Sequence, residues 1–407
     1  MMLNKIPTYQ ECKLICDYHG SLVFYETQIV VDNYIICMFN YRLATYNNLT
    51  KPLPNNDLSA RELRGNCYIL DNQGNVLSSY IMLNKFWNLN ETSETQYDNI
   101  INNYHIKAIH NKEDGSMVRF IRLPNNKVIS KTKGSIDNEI CVESNKIYIT
   151  NKSVRQFIDW SLDNNIALIF EFVSPFNKIV LDYNETKLIL LKARNNETGE
   201  YLDNWLVMSL FNKFRFGDVR INPNVMDSSV DYYEQYDSID ELIELSKTIK
   251  YVEGWVINLV HKDTNEDYFI KLKTQWYFER HKLLTEDMVR EDFIISKILD
   301  ETIDDILCQL TDQDIEVKNK IDNIDKVIKN YILEKSVNVQ LLLNVYNTSY
   351  CNNIKDFAIK YKNDINFHHV INIINKKNSI FETIIIELRK RTYKLNDAIK
   401  FIKTGKI

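Results

Sequence analysis

The pattern of apolar residues changes at about residue 280, and this change limits the folds open to the chain. From about residue 20 to residue 280 the apolar runs are short, rich in Ile, Val, Phe and Tyr, and bounded by Asn, Asp, Gly and Pro, which is typical of β-strands. These runs lie at 22–25, 29–38, 118–123, 167–173, 178–181, 188–191, 255–260 and 268–272. Two stretches, 154–162 and 239–249, instead have the three- and four-residue spacing of helices. From about residue 283 to the end the spacing is helical throughout.

We therefore expect an α+β body over residues 1–285, followed by an all-α domain over residues 286–407. A chain of 407 residues is long enough for two or three domains. Its 44% hydrophobic and 26% charged residues are values typical of globular proteins, so a sizeable core can form.

Charge and cysteine content restrict the partners and the compartment. The net charge of −5 provides no overall positive field, so a nucleic-acid surface must be a local patch. One candidate is 371–407, with nine Lys/Arg against three Asp/Glu, although a solvated helix face is the ordinary alternative. The seven cysteines are scattered and odd in number, which favours a reduced protein. With no apolar run of about 18 residues, we expect a soluble protein of the cytoplasm or nucleus that does not span a membrane.

The segment Lys112-Glu113-Asp114-Gly115-Ser116 is the first candidate for chemistry. It places a lysine before an Asp-Gly turn between two predicted strands, and glycine permits a close approach of the backbone to a ligand. The ordinary alternative is a hairpin turn, because Asp-Gly is common in such turns.

Two further segments place charges on predicted strands. Glu253 precedes Gly254 at the start of an apolar strand, where a solvent-facing carboxylate is the ordinary alternative. Lys271 and Lys273 are two residues apart, so they project from one face of a strand, while the apolar residues between and before them project from the other. Two ammonium groups on one face suit a polyphosphate, although simple alternation on an exposed strand is the alternative.

Glu171 interrupts the apolar run 168–173. A carboxylate in a buried strand is costly unless it is paired or binds a ligand, and a structural ion pair stays open as the alternative. The chain has no Gly-x-x-x-x-Gly-Lys-Ser/Thr and no Gly-x-Gly-x-x-Gly segment, so a nucleotide would be held by side chains. Carboxylates combined with several lysines suit Mg²⁺ and a triphosphate.

These segments, in this order, resemble the covalent nucleotidyltransferase superfamily of ligases and capping enzymes, and more closely the ATP-dependent RNA ligases of T-even phages. The resemblance runs from about residue 20 to residue 310. The tail beyond it resembles the family only in being helical, without a shared sequence motif. The segments that carry it are Glu-Leu-Arg-Gly at 62–65, Asn-Lys-Phe-Trp-Asn-Leu-Asn at 84–90, Lys-Glu-Asp-Gly-Ser at 112–116, Lys-Thr-Lys-Gly-Ser at 131–135, Phe-Glu-Phe-Val-Ser-Pro at 170–175, Asn-Glu-Thr-Gly-Glu-Tyr at 196–201, Glu-Gly at 253–254 and Lys-Leu-Lys-Thr-Gln-Trp-Tyr at 271–277.

The resemblance implies a nucleotidyltransferase domain of antiparallel sheets with flanking helices, which uses ATP and Mg²⁺ or Mn²⁺. It implies that Lys112 attacks the α-phosphorus of ATP, that AMP then passes to an RNA 5′-phosphate, and that an RNA 3′-OH displaces AMP. The same matching implies contacts to ATP from Arg64, Lys85, Gly115, Lys133, Glu171, Lys271 and Lys273, and to metal from Glu253, Asp304 and Asp305. Trp87 stands where the phage family has a phenylalanine, which leaves the contact of that ring open.

The implied partner is an RNA with 3′-OH and 5′-phosphate ends, such as a nicked tRNA, healed by a kinase-phosphatase, and we expect a monomer. A DNA ligase or capping enzyme is a less suitable match, because those families follow the last motif with a β-rich OB domain, whereas helices follow it here. A non-catalytic RNA-binding homologue is the other alternative. For the tail we expect either a structural helical cap or a dock for structured RNA over 290–407, with phosphate contacts from Lys390, Arg391, Lys394, Lys400 and Lys403.

Overall fold

The structure, a computed structural model, describes most of the chain as two compact units, residues 1–282 and 283–407. The residues that it describes are 6–20, 23–54, 57–177, 179–216, 226–228, 238–280, 290–308, 310, 314–350, 353–376, 378–392, 399 and 402. The first unit is mixed and the second is helical, so the predicted α+β class with a helical C-terminal region is confirmed.

The first unit contains all the strands of the described residues. These are β1 Phe24–Val31, β2 Tyr34–Tyr41, β3 Asn66–Leu70, β4 Val76–Tyr80, β5 Trp87–Asn88, β6 Tyr104–Asn111, β7 Ser116–Arg122, β8 Val128–Lys131, β9 Ile166–Val173, β10 Lys187–Asn195, β11 Met226–Ser228, β12 Gly254–His261 and β13 Asp267–Lys273. Its helices are α1 Tyr9–His19, α2 Tyr46–Thr50, α3 Tyr97–Asn103, α4 Glu139–Thr150, α5 Lys152–Asp163, α6 Asn204–Phe216, α7 Ile239–Thr248 and α8 Gln275–Arg280.

These strands form three sheets, here numbered in chain order. Sheet 1 has the order β1-β2-β3-β4, sheet 2 the order β11-β10-β9-β7-β8, and sheet 3 the order β5-β13-β12-β6. Most neighbours are antiparallel, as predicted, but β11 runs parallel to β10 and β5 runs parallel to β13. Successive strands β6 and β7 belong to different sheets, and this crossing positions the candidate site.

Each sheet is covered by helices whose apolar faces it buries. Helix α1 packs on sheet 1 through Cys12 and Ile15, after a capping box in which Thr8 and Glu11 satisfy each other's backbone amides. Helices α5 and α6 cover sheet 2, where Phe157 and Phe211 are fully buried. Helix α7 covers sheet 3 through Leu242. Burial of these apolar faces is the main source of stability for such layers.

The second unit is built around one 35-residue helix. Its helices are α9 Glu291–Leu299, α10 Ile303–Leu307, α11 Ile315–Ser349, α12 Ile354–Tyr361, α13 Phe367–Lys376 and α14 Ile380–Thr392. The buried apolar residues of α11 recur at three- and four-residue intervals along much of its length, which puts them on one stripe: Ile321, Ile324, Ile328, Ile332, Val339, Leu342 and Tyr346.

Some local predictions were wrong. The run 29–38 is not one strand, because Asp32 and Asn33 both have positive φ and form the turn between β1 and β2. The run 178–181 is not a strand in its described residues 179–181, whose backbone is irregular, and Lys178 lies outside the described residues. The other helices of the first unit were missed: α1, α2, α3, α4, α6 and α8. In α4, for example, the buried residues are Cys141 and Ser144, so its sequence has only a weak apolar face.

Candidate functional site

Lys112 lies where the chain leaves sheet 3 and enters sheet 2. Strand β6 ends one residue before it and pairs with β12, whereas β7 begins four residues after it and pairs with β8 and β9. The Lys-Glu-Asp-Gly segment is therefore a crossing between sheets, and its interpretation as a hairpin turn was wrong. The Lys112 amide donates to the carbonyl of Gly254 at 2.9 Å, so the backbone of the lysine is fixed by sheet 3.

The side chain of Lys112 meets a buried carboxylate. Its Nζ lies 2.6 Å from Oε1 of Glu253, and Nζ of Lys273 lies 3.4 Å from the same oxygen. Glu253 is 2% exposed, so the alternative of a solvent-facing carboxylate was wrong. Its other oxygen, Oε2, is buried and has no hydrogen-bond partner in the described part of the chain. A buried acceptor of this kind is costly unless a bound group, such as a cation or its water, uses it.

The strand order of sheet 3 brings together most of the cations predicted from sequence. In the order β5-β13-β12-β6, Lys271 and Lys273 end β13, next to the strand that Glu253 precedes. Lys85 precedes β5, and its Nζ lies 3.2 Å from Glu91 and 4.2 Å from the centre of the Trp87 ring. Because Asn88 of β5 pairs with Lys271, Lys85 lies three residues before the residue opposite Lys271.

Sheet 2 contributes Gly115 and Glu171. The Gly115 amide donates to Oε1 of Glu171 at 3.1 Å. A Cβ at position 115 would lie 2.3 Å from the carbonyl oxygen of Phe172, so only glycine fits there. Burial raises the pKa of Glu171 to about 8, and the charges of Glu253 and Glu113 add to this rise while Lys112 opposes it. Near neutral pH this carboxyl can therefore carry a proton and act as a hydrogen-bond donor.

Asp114, which sequence reasoning left without a role, fastens the crossing to the loop before β10. Its Oδ2 accepts the amides of Val180 and Leu181, each at 2.7 Å, and its Oδ1 accepts the hydroxyl of Tyr277 at 2.9 Å. The Asp114 amide donates to the hydroxyl of Tyr183. These partners lie 66 to 163 residues away in the chain, so no local pattern signals them.

Three arginines hold the connection between β4 and β5. Consecutive carbonyl oxygens at positions 81, 82 and 83 accept from Arg119, Arg194 and Arg64, respectively. Arg194 also pairs with the buried Glu62 at 2.8 Å. We call Arg64, Arg119 and Arg194 the guanidinium clamp. It fixes the main chain that leads to Lys85.

The backbone of Gly65, the residue after Arg64, lies close against the backbone of Lys133. A Cβ at Gly65 would lie 2.9 Å from Cα of Lys133, and the φ of +92° also favours glycine there. Arg64 Nη1 lies 3.7 Å from Sδ of Met117, the residue opposite Glu171 in the pairing of β7 and β9. Arg64 therefore approaches the strand pair that carries Glu171.

A cavity of about 500 Å³ opens beside Lys112. This volume is within the range of small-molecule sites, which take roughly 300–1,000 Å³. Its walls combine the ends of β6 and β12 with the loop fastened by Asp114, and they include Lys112, Glu113, Val180, Leu181, Asp182, Tyr183, Tyr251, Glu253 and Trp276. Two of the residues predicted to act on ATP or metal, Lys112 and Glu253, are on this wall. The other predicted ATP-binding residues are not among those that line the cavity: Arg64, Lys85, Gly115, Lys133, Glu171, Lys271 and Lys273.

The remaining predicted residues lie in the second unit or outside the description. Asp304 and Asp305 belong to α10, and their assignment to a metal stays a prediction. The described residues contain no group of three or more His, Cys, Asp or Glu arranged to hold a metal ion. Lys390 is exposed on α14, the side chain of Arg391 is not described, and Lys394, Lys400 and Lys403 lie outside the described residues. Among the helices described, none is long and apolar enough to cross a membrane.

Comparison with known proteins identifies the family. A family model described as RNA ligase matches residues 64–277, which is more than half of the chain and includes the crossing and every predicted site residue except Asp304 and Asp305. The chain belongs to this RNA ligase family, so the resemblance inferred from sequence is confirmed. A protein of Thermovibrio ammonificans named "Putative RNA ligase" is 25% identical over 269 residues. That alignment covers 63% of this chain and 63% of the relative.

Solved structures of low sequence identity also match. An archaeal ATP-dependent RNA ligase is 13% identical with a TM-score of 0.45, covering 78% of this chain and 75% of that one. A Naegleria gruberi RNA ligase mutant with ATP and Mn is 14% identical with a TM-score of 0.32, covering 44% of this chain and 52% of that one. An Aquifex aeolicus protein named "Putative ATP-dependent DNA ligase" is 12% identical with a TM-score of 0.43, covering 79% and 80%, respectively.

Proposed function

We propose that this chain is an ATP-dependent RNA ligase that joins RNA 3′-OH and 5′-phosphate ends through a lysyl-AMP on Lys112. The observation that carries the proposal is the position of the Lys112 amine, 2.6 Å from a buried carboxylate and on the wall of a cavity large enough for a nucleotide. Membership of the RNA ligase family supports the choice of RNA.

In the first step, Nζ of Lys112 attacks the α-phosphorus of ATP. A nitrogen–phosphorus bond forms as the bond from that phosphorus to the leaving oxygen of pyrophosphate breaks, and the amine loses its proton to solvent. The charge that develops on the phosphate oxygens calls for cations placed in advance. Lys273 is held beside Lys112 by the shared oxygen of Glu253, and Lys271 lies two residues earlier on the same strand face.

In the second step, an oxygen of the RNA 5′-phosphate attacks the same phosphorus, and the bond to Lys112 breaks. In the third step, the RNA 3′-OH attacks the activated RNA phosphate and AMP leaves. Arg64, Lys85 and Lys133 would contact phosphates or ribose during these transfers. Glu171 would hold the ribose, and its raised pKa allows the carboxyl to donate or accept a hydrogen bond near neutral pH.

The carboxylate of Glu253 is suited to binding a divalent cation. Oε2 of Glu253 is a buried acceptor without a hydrogen-bond partner among the described residues, and Mg²⁺ commonly binds proteins through one carboxylate and several waters. Glu253 would hold the ion through water, with Asp304 and Asp305 as further predicted ligands. Bound Mg²⁺ or Mn²⁺ would neutralise phosphate charge during transfer.

The direct test is labelling of the protein by α-³²P-ATP with Mg²⁺, followed by a denaturing gel. We expect a labelled band for the wild-type protein and none for Lys112→Ala. Lys107→Ala is the matched control, because Lys107 lies on β6, the strand that ends one residue before Lys112, and pairs with Asp267 at 3.1 Å on the surface. Label that persists in Lys112→Ala, or is absent from wild-type protein freed of bound AMP, would refute the proposed nucleophile.

The choice of polynucleotide needs a second measurement. Sealing of 5′-phosphorylated RNA, the matching DNA and a nicked tRNA should be compared under one set of conditions. We expect RNA ends to be preferred, with the nicked tRNA among the good substrates. A preference for DNA would favour the alternative of another polynucleotide ligase, and labelling without any sealing would leave a nucleotidyltransferase of another kind.

A further inference from the structure

Two aromatic rings stand together at the mouth of the cavity. The ring centroids of Tyr251 and Trp276 are 5.0 Å apart at an interplanar angle of 48°, and both residues line the cavity that contains Lys112. Tyr251 is nevertheless 74% exposed, so this residue lines the cavity and is also open to solvent. The pair therefore forms a border between the cavity and the outside.

The backbone holds Tyr251 in this exposed position at a cost. Its φ is +64°, in the left-handed region that residues with a side chain seldom adopt. Such conformations persist where the surroundings enforce them, and they concentrate at functional sites. The side chain of Tyr251 is exposed to water and its backbone has an unfavourable φ, so it adds little to the stability of the core. This favours a role in binding.

The two rings lie close in sequence to charged residues of the site. Tyr251 lies two residues before Glu253, and Trp276 lies three residues after Lys273. Thr274, between Lys273 and Trp276, donates its amide to the carbonyl of Glu253 at 2.9 Å. The segment that carries Trp276 is thus hydrogen-bonded to the residue whose carboxylate contacts Lys112.

We propose that Tyr251 and Trp276 form a stacking platform for the nucleobase next to the RNA 5′-phosphate that receives AMP. The inference rests on the proposed function. ATP would occupy the enclosed part of the cavity beside Lys112, whereas an exposed ring at the mouth offers its face to a group that arrives from solvent. Aromatic rings commonly stack on the unpaired bases of RNA ends, and this contact tolerates any base.

The first experiment measures stacking without catalysis. A short 5′-phosphorylated RNA carrying 2-aminopurine as its first nucleotide is titrated with the full-length protein, and fluorescence quenching reports the stacked base. We expect quenching by wild-type protein and by Tyr251→Phe, which keeps the ring, and its loss in Tyr251→Ala and Trp276→Ala. Trp205→Ala is the matched control, because Trp205 is also exposed, at 70%, but lies on α6.

The second experiment separates RNA from ATP as the source of the base. Base stacking on an aromatic ring is worth about 1–3 kcal/mol, so the alanine variants should raise KM for the RNA end by about 5- to 150-fold, and by more than they slow lysyl-AMP formation. An RNA lacking its first base should show the same penalty with wild-type protein and little further penalty with the variants.

The outcomes are distinct. Equal losses in lysyl-AMP formation and in RNA sealing would mean that the rings stack on the adenine of ATP, and would overturn the inference. An undiminished abasic penalty in correctly folded variants would also overturn it. Quenching in a wild-type protein that forms no lysyl-AMP would instead refute the proposed function and leave the platform standing.

Discussion

The two units of the molecule treat charged side chains differently. In the helical unit the charged or ionisable residues that are buried, among those described, are Lys335 and His369, and the core is an apolar stripe along α11. The sheet unit buries many more, which belong to the crossing, to the guanidinium clamp or to the strands beside them: Glu62, His110, Asp114, Arg119, Lys131, Lys192, Arg194 and Glu253. Burying a charge is costly unless partners satisfy it. The many buried charged residues of the sheet unit therefore indicate a region where stability is lost in order to hold charged groups in position.

The largest test of this contrast is removal of a cation from the crossing. Lys273→Ala should slow lysyl-AMP formation by about 100-fold or more, the loss seen when one preorganised group that stabilises transition-state charge is removed. Single-turnover labelling with α-³²P-ATP measures it, with Lys107→Ala as the control. A rate within about twofold of wild type would show that the Lys273 ammonium does not act on the phosphates.

In the helical unit, removing a buried methyl-rich side chain should affect stability alone. Ile328 is fully buried on α11, so Ile328→Ala should lower the free energy of unfolding by about 3 kcal/mol. Leu333→Ala, five residues along the same helix and 52% exposed in the wild type, should change it by less than about 0.5 kcal/mol. Urea unfolding monitored by circular dichroism measures both, and equal effects would contradict the predicted division between buried stripe and exposed face.

The bonds of Asp114 offer a test between these two extremes. Asp114→Asn keeps the shape but cannot accept at both positions, so the amides of the 180–181 loop or the Tyr277 hydroxyl lose a partner. We expect a loss of about 1–3 kcal/mol in unfolding free energy, together with slower lysyl-AMP formation. Asp71→Asn is the matched control, since Asp71 also accepts two backbone amides, but in an exposed turn, and should cost much less. Equal costs would show that the Asp114 bonds have no special weight.

The smallest expected effect is a gain in stability. Because the pKa of Glu171 is raised in the fold, the native state binds a proton more tightly than the unfolded state between the ordinary glutamate range and about pH 8, so its contribution to stability falls as pH rises through that window. Glu171→Gln removes this penalty. We expect its Tm to exceed that of wild type by about 2–4 °C at pH 8.5 and by less at pH 5, with sealing impaired. A Tm difference that stays constant across pH would contradict the raised pKa of Glu171.

The sequence predicted the order of strand and helix regions but missed some of the turns between strands. The change from strands to helices was visible because burial imposes period 2 on half-buried strands and period 3.6 on helices, and Lys271 and Lys273 were correctly placed on one strand face for that reason. The turn at Asp32 and Asn33 was missed because the apolar residues continue on both sides of it.

The geometry of the site was beyond local patterns. The sequence places Glu253 beside a glycine, but its burial and its contact with Lys112 depend on β6 and β12 being neighbours, which are separated by more than 140 residues in the chain. The same holds for the bond from Tyr277 to Asp114. The roles of Arg64, Lys85, Lys133 and Glu171 came from the family resemblance, and they stay predictions.

The guanidinium clamp has a consequence for how such chains can diverge. Its acceptors are main-chain carbonyls at Ile81, Met82 and Leu83, which every amino acid carries, whereas its donors are three particular side chains. The segment being held can therefore exchange one apolar residue for another and keep its hydrogen bonds. Positions 64, 119 and 194 lack that freedom, since loss of any one leaves a carbonyl unpaired. Among relatives that retain this arrangement, substitutions should be frequent at positions 81–83 and rare at the three arginines.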